Sequence, residues 1–456
     1  MDIYNISEIE IELRALSDAA CGNGISALLD SKKISIEEFI EHKEKYAEDF
    51  IRFSHDGFKE AQNGIIKNIL LIQDEQEVIK QNLKRARVER NIEEIPELIN
   101  KQKHLENIVK LFKHCADTLV WQLIKGQLWI SRRLYLNVSG GKKLKEVNLE
   151  SAIKVAEDYN SNPMNFVLIT DITNNVQVGD LIGIVDGQVI VVEIKEGEKN
   201  LRILEVIQQL NKPENKHQDI LRDISSEPKM IEQFERTLKQ HKTLHDVHQI
   251  LNTDKGIDPT SGKEIRIFTP NEPTPLYSER LSFLEKQLQE RNFWAYDVIE
   301  DCLHIGIYKG KKRFGGHLIL KAICDQKEKP NYIIIDALSI IDSLNKPLFF
   351  LPFSPDFIFD IIFSRIKMYF MLDLDSYMEL YSHYGFNAEW ASRKETTKEK
   401  ELAKGYDILE HNHRGIKIKI DGDKDMWLST GTLTRIFFEH INPSYTAYST
   451  KYYIEK

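Results

Sequence analysis

The chain has 456 residues, 41% of them hydrophobic and 29% charged, with a net charge of -9. That length exceeds one ordinary domain and predicts two or three, and the composition is that of a globular protein able to bury real cores. The charge excludes a global positive field, so any polyanion must be met by a local basic surface.

Residues 36 to about 130 repeat apolar side chains at three- and four-residue spacing and predict helices. Ser35 fits an N-cap, with Glu38 three residues later completing a capping box. The last of these helices is expected over about 102–125. Near 128 the pattern changes: QLWISRRLYLNV is short and rich in β-formers. A helix over about 149–158 follows, then the strand NFVLIT, then VGDLIGIVDGQVIVVEIKEG, then a helix in NLRILEVIQQL. This order predicts a compact α/β domain. Charged helices continue to about 252, and the polar stretch 252–264 reads as a linker. Beyond it are expected a helix (278–291), strands around 294–308, 316–323 and 332–335, helical segments over 354–382, a solvated SRKETTKEKELAKG run, and strands at 416–420 and 425–429.

The four cysteines, Cys21, Cys115, Cys302 and Cys324, are far apart and form no CxxC pair. A disulfide framework or structural zinc site is therefore not expected. The opening MDIYNISEIEIE does not read as a signal peptide. The most apolar stretch, 332–370, is broken by Asp336, Asp342, Lys346, Asp356, Asp360, Arg365 and Lys367, so no membrane span is expected. The cytoplasm is the expected location.

The chemistry concentrates at Asp186-Gly187. This dipeptide signals a two-residue type I′ turn, because both central positions need positive φ. The flanking runs, LIGIV and QVIVVEIK, are β-branched. Once the turn is accepted, Val185 faces Gln188, Ile182 faces Val191, and Asp180 faces Glu193. Opposed residues bring their Cβ atoms to about 4.5–5.5 Å. Two carboxylates that close repel, and a hard divalent cation relieves the repulsion. Lys195 lies two residues past Glu193 and so shares its face.

Asp180, twelve intervening residues, then Glu193-Ile194-Lys195 resembles the motif of the PD-(D/E)XK nuclease superfamily. Gly179 in VQVGD stands where a proline is often found, and VVEIKEGE matches the second half-motif. The resemblance covers roughly residues 104 to 215. It implies a restriction-endonuclease-like αβα core within an α/β multidomain chain. A helical N-terminal region (1–101) would precede the nuclease-like domain (102–252), and a mixed α/β domain of unassigned role (265–456) would follow it. It further implies that Asp180, Glu193 and the Ile194 carbonyl hold Mg²⁺ or Mn²⁺, and that Lys195 orients the attacking water or stabilises the transition state. An added acid is implied from the preceding helix, Asp117 first and Glu106 second. A Gln is implied from the following helix, Gln209 before Gln208. The activity implied is metal-dependent cleavage of nucleic acid, DNA before RNA, as in a bacterial restriction or anti-phage effector. The alternative is a catalytically silent scaffold that keeps the nuclease fold and binds nucleic acid or protein. A protein partner or a second copy would meet the helical N-terminal region, and no membrane is involved.

Other signals are weaker. Asp171 ends the NFVLIT strand and reads first as a turn residue. His241, His245 and His248 share a helical face, but no HExxH accompanies them, so a hydrophilic surface is expected. His411 and His413 read as a polar turn. Lys309, Lys311, Lys312 and Arg313 form a basic, glycine-rich loop beside Tyr308 and Phe314, suited to phosphate contacts. Lys142, Lys143 and Lys145 form a second basic loop. Trp121, Trp129 and Tyr135 read as core. The absence of a P-loop argues against ATP hydrolysis.

Overall fold

The computed structural model describes residues 1–134, 144, 149–195, 200, 203, 206, 228–253, 255–258, 262, 264–266, 274–291, 293–324, 330–342, 345–402, 407–420 and 425–454. It is a mixed α/β protein of two compact units, Met1–Ile267 and Phe268–Lys456. No helix among the described residues is long and apolar enough to cross a membrane.

The first unit opens with α1 (Ile6–Cys21), α2 (Asn23–Lys32), α3 (Ile36–Glu41), α4 (Ala47–Val88) and α5 (Glu94–Leu123). The N-terminal region is helical as expected, although the periodicity reading began at residue 36 and placed no individual helices over α1 and α2. Their buried Ile9, Leu13, Leu16, Ala20 and Leu28 do recur at three-, four- and eight-residue intervals, but the local text IEIEL also alternates as a strand would. Ser35 caps α3 as expected, its hydroxyl accepting the Glu38 N–H at 3.2 Å. The Glu38 carboxylate accepts from the Tyr46 hydroxyl (3.1 Å). α4 packs along α5 and against α1 and α2. Ile65, Ile69 and Ile72 of α4, and Leu105, Phe112 and Leu119 of α5, are fully buried. Each contributes roughly 1.5–3 kcal/mol of apolar burial. A Cβ on Gly57 would lie 2.3 Å from the Ala19 carbonyl oxygen, so the missing side chain lets α4 approach α1.

Residues 128–134 correct the expected strand: they form α6 (Leu128–Leu134). Ile130 and Leu134 are both buried and lie one helical turn apart, so the decisive period is that of a helix. Next come α7 (Leu149–Asn160), β1 (Phe166–Ile169), β2 (Leu181–Val185) and β3 (Gln188–Val192). The three strands form an antiparallel meander in that order. Among the described residues this sheet has no parallel pairing. β1 is buried along its whole length, under α4 and α7, while α5 and α7 reach β2. The helix expected in NLRILEVIQQL lies largely outside the described residues. α8 (Pro228–Thr253) follows, and the segment read as a linker pairs β4 (Lys255–Ile257) with β5 (Glu264–Arg266).

The second unit begins with α9 (Ser278–Arg291), β6 (Trp294–Ile299), β7 (Leu303–Lys309), α10 (Gly316–Cys324), β8 (Tyr332–Asp336), α11 (Pro355–Ile362), β9 (Ile366–Asp373) and α12 (Leu374–Ser382). Its main sheet is antiparallel with order β6-β7-β9-β8. Two expectations change here. Residues 316–323 are helical, with Gly316 and Leu320 buried one turn apart. The stretch 354–382 is divided by β9, a central strand. A smaller sheet completes the unit: β10 (Asn387–Trp390) and β11 (Glu410–His411) flank β12 (Arg414–Lys419), which also pairs β13 (Asp425–Trp427). The SRKETTKEKELAKG run forms a helix over Arg393–Leu402.

Candidate active site

The β2–β3 hairpin has the register read from its turn. Asp186 (φ 50°) and Gly187 (φ 79°) both take positive φ. Val185 pairs with Gln188, Ile182 with Val191, and Leu181 with Val192. The ladder stops there, one pair short of Asp180 and Glu193. Beyond it the hydrogen bonding slips by a residue, and the Asp180 N–H donates to the Val192 carbonyl at 2.8 Å. Gly179 precedes this slip with φ 74°, and a Cβ there would lie 2.5 Å from Val191 Cγ1. A glycine answers both demands.

The three charged side chains gather at this mouth. Asp180 Oδ2 accepts the Ile194 N–H at 2.6 Å. Lys195 Nζ donates to Glu193 Oε1 at 2.8 Å and to Gln240 Oε1 at 2.7 Å. Burial holds the Asp180 carboxyl above the usual carboxylate range, and the Glu193 charge raises it further. The Ile194 N–H and Lys195 oppose that rise, while Asp171 adds to it. Asp171 sits in a 3-10 turn, Thr170–Ile172, between β1 and β2. Its carbonyl accepts from Lys113 Nζ at 2.8 Å.

Asp117 looks elsewhere. It is buried on α5, and its carboxylate accepts from the Asn174 N–H (3.1 Å), Asn174 Nδ2 (3.1 Å) and Asn175 Nδ2 (3.2 Å). It thereby ties α5 to the β1–β2 connection. Burial pushes its carboxyl up to about 7, against those three hydrogen bonds and the charge of Lys113. His114 Nδ1 lies 3.9 Å from Asp117 Oδ2, but burial pushes the imidazole down to about 3. The histidine is therefore neutral, and the contact is no ion pair at neutral pH. Glu106 is exposed on α5 and accepts from Gln102 at 2.9 Å.

Gln208, Gln209, Lys142, Lys143 and Lys145 lie outside the described residues. Lys311, Lys312 and Arg313 belong to the second unit, in a 3-10 turn, Gly310–Phe314. His241, His245 and His248 are exposed on α8, and Trp121 is buried. His413 and Asn412 form a positive-φ turn beside β11. Sequence reasoning missed Gln240, which anchors Lys195 from α8. Glutamine recurs along that helix, and its periodicity does not single out position 240. Lys113 was missed for the same reason, as one polar residue within a helical pattern.

The donor set suits a hard cation. Each carboxylate oxygen has two lone pairs, so the bonds from Ile194 and Lys195 leave acceptor capacity on Asp180 and Glu193. No group of three or more His, Cys, Asp and Glu side chains stands ready to hold a metal among the described residues. The set implied by the sequence needs only two carboxylates and the Ile194 carbonyl. Compared with models of protein families, with curated proteins and with solved structures, the chain finds no match.

Proposed function

We propose that the hairpin mouth is the centre of a divalent-metal-dependent phosphodiesterase acting on nucleic acid, DNA before RNA. One observation carries the reading. Asp180 accepts the N–H of Ile194, the residue next to Glu193, and the Lys195 ammonium stands on Glu193, so two carboxylates and a cation share one end of the sheet. Asp180, Glu193 and the Ile194 carbonyl would hold Mg²⁺ or Mn²⁺. The ion, when bound, polarises the scissile phosphate and lowers the pKa of an attacking water. Gln240 holds the Lys195 ammonium at the same mouth. From there Lys195 stabilises negative charge as it grows on the phosphate oxygens.

A second reading has an observation of its own. The bonds Lys195–Glu193, Lys195–Gln240 and Ile194–Asp180 satisfy the polar mouth from within the chain. A catalytically silent scaffold would keep that network as a structural clasp. Incubation of supercoiled plasmid with the full chain, with Mg²⁺ or with EDTA, separates the two. The hydrolytic reading expects Mg²⁺-dependent nicking, reduced about 10²–10³-fold by Lys195→Ala and by Glu193→Ala. No nicking with Mg²⁺, in protein whose circular dichroism is native, supports the scaffold.

A further inference from the structure

Residues 303–324 carry Lys309, Lys311, Lys312, Arg313 and Lys321 and no Asp or Glu, in a chain of net charge -9. Lys309, Lys311, Lys312 and Lys321 are exposed and Arg313 is half-buried. None of the five forms an ion pair with another described residue. Elsewhere on this unit some cations are neutralised: Lys417 alone contacts Glu389, Glu395 and Asp425. A basic cluster with no ion-pair partner among the described residues, on an acidic protein, creates a local field that attracts anions.

Aromatic rings stand at the same end of the sheet. Phe293 is 57% exposed, Trp294 43% and Phe314 73%. The Phe293 carbonyl accepts the Lys309 N–H at 2.9 Å, and Trp294 pairs with Tyr308. The aromatic start of β6, an edge strand, thus adjoins the basic end of β7. The support beneath is firm. Tyr308 is buried, and a Cβ on Gly316 would lie 2.4 Å from its ring. The Arg313 guanidinium lies 4.8 Å from the Phe314 ring centroid, and that of Arg291 lies 5.5 Å from Trp294.

We propose that this end of the second unit binds single-stranded nucleic acid, with bases stacked on Trp294 and Phe314 and phosphates held by Lys309, Lys311, Lys312 and Arg313. Exposed rings interleaved with basic side chains match the two chemistries that a single strand offers. A duplex hides its base faces and offers only the phosphates. An anionic membrane fits less well. The guanidinium groups over Trp294 and Phe314 would have to enter the apolar region with the rings, at a cost of several kcal/mol. A base stack accommodates both. This assignment rests on residues remote in sequence from the hairpin and does not depend on the hydrolytic reading.

The test uses the full chain in EDTA, so that no metal-dependent reaction shortens the probes. Fluorescence anisotropy follows binding of a labelled oligothymidine, an abasic strand of equal length and a duplex of equal length. Flotation follows binding to phosphatidylcholine–phosphatidylserine vesicles. The wild type is expected to bind oligothymidine more tightly than either other nucleic acid. Trp294→Ala with Phe314→Ala should weaken oligothymidine binding about 10-fold or more and leave abasic binding unchanged. Lys311→Glu with Lys312→Glu should weaken both and reduce the salt slope of log affinity by about 1.4 or more. All four side chains project from the surface, and circular dichroism checks that the variants fold. Equal affinity for oligothymidine and the abasic strand would overturn the proposal. So would no oligothymidine binding at low salt, or vesicle binding that requires the rings while oligothymidine is ignored.

Discussion

Folding disfavours the ionised form of Asp180. Burial and then the Glu193 charge raise its carboxyl. The sign follows from linkage. A carboxyl raised on folding contributes its stability in full below the unfolded pKa and loses it as pH climbs through the folded value. Asp180→Asn is therefore predicted to stabilise the metal-free protein at pH 7. The gain is at most about 1 kcal/mol, because the group is only half-buried and solvent screens it. Near pH 3 the two proteins should converge. Saturating Mg²⁺ should raise the stability of the wild type and not of the variant. Urea unfolding in EDTA and in Mg²⁺ measures this, and a variant less stable than wild type in EDTA at pH 7 contradicts it. Asp117 shows what the sequence left out at this scale. Its place on the helix before the sheet was legible, but a helical residue's partners depend on which neighbour packs against that face. Here Asn174 and Asn175 take it.

At the scale of elements, the hairpin was the most legible part of the fold, because Asp186 and Gly187 fix the turn and the turn fixes the register. The slip at Asp180 was not legible, because it depends on how Gly179 meets Val191 across the sheet. The misread α6, α10 and β9 share one property: a short apolar run whose period does not decide between helix and strand. Within IIFSRIKMYFMLDL the central strand β9 is indistinguishable from a buried helix until β7 and β8 pair with it. Gly183 leaves no room for a side chain against β1. A Cβ there would lie 2.2 Å from the Phe166 carbonyl oxygen. Gly183→Ala is predicted to destabilise the first unit by about 1–3 kcal/mol through overpacking and to weaken Mg²⁺ binding. An unchanged urea midpoint contradicts that account of the sheet.

At the scale of the molecule, the two units are assigned separate ligands: a divalent cation at the hairpin of the first, a single strand at the sheet end of the second. A ligand that binds only the folded form of one unit stabilises that unit. Calorimetry of the full chain should therefore show Mg²⁺ raising one unfolding component and oligothymidine in EDTA raising the other. A shift of the same component by both ligands contradicts the division. The acidic total charge gave no hint of this arrangement. The Lys309–Arg313 run did, while the rings beside it came from residues 293 and 294, brought there by strand pairing. The central claim is tested most directly by an anomalous difference map from crystals of the full chain soaked in MnCl₂. The account predicts one peak in contact with both the Asp180 and the Glu193 carboxylates. Saturating Mn²⁺ that leaves no peak there, with Lys195 still bonded to Glu193, would contradict it.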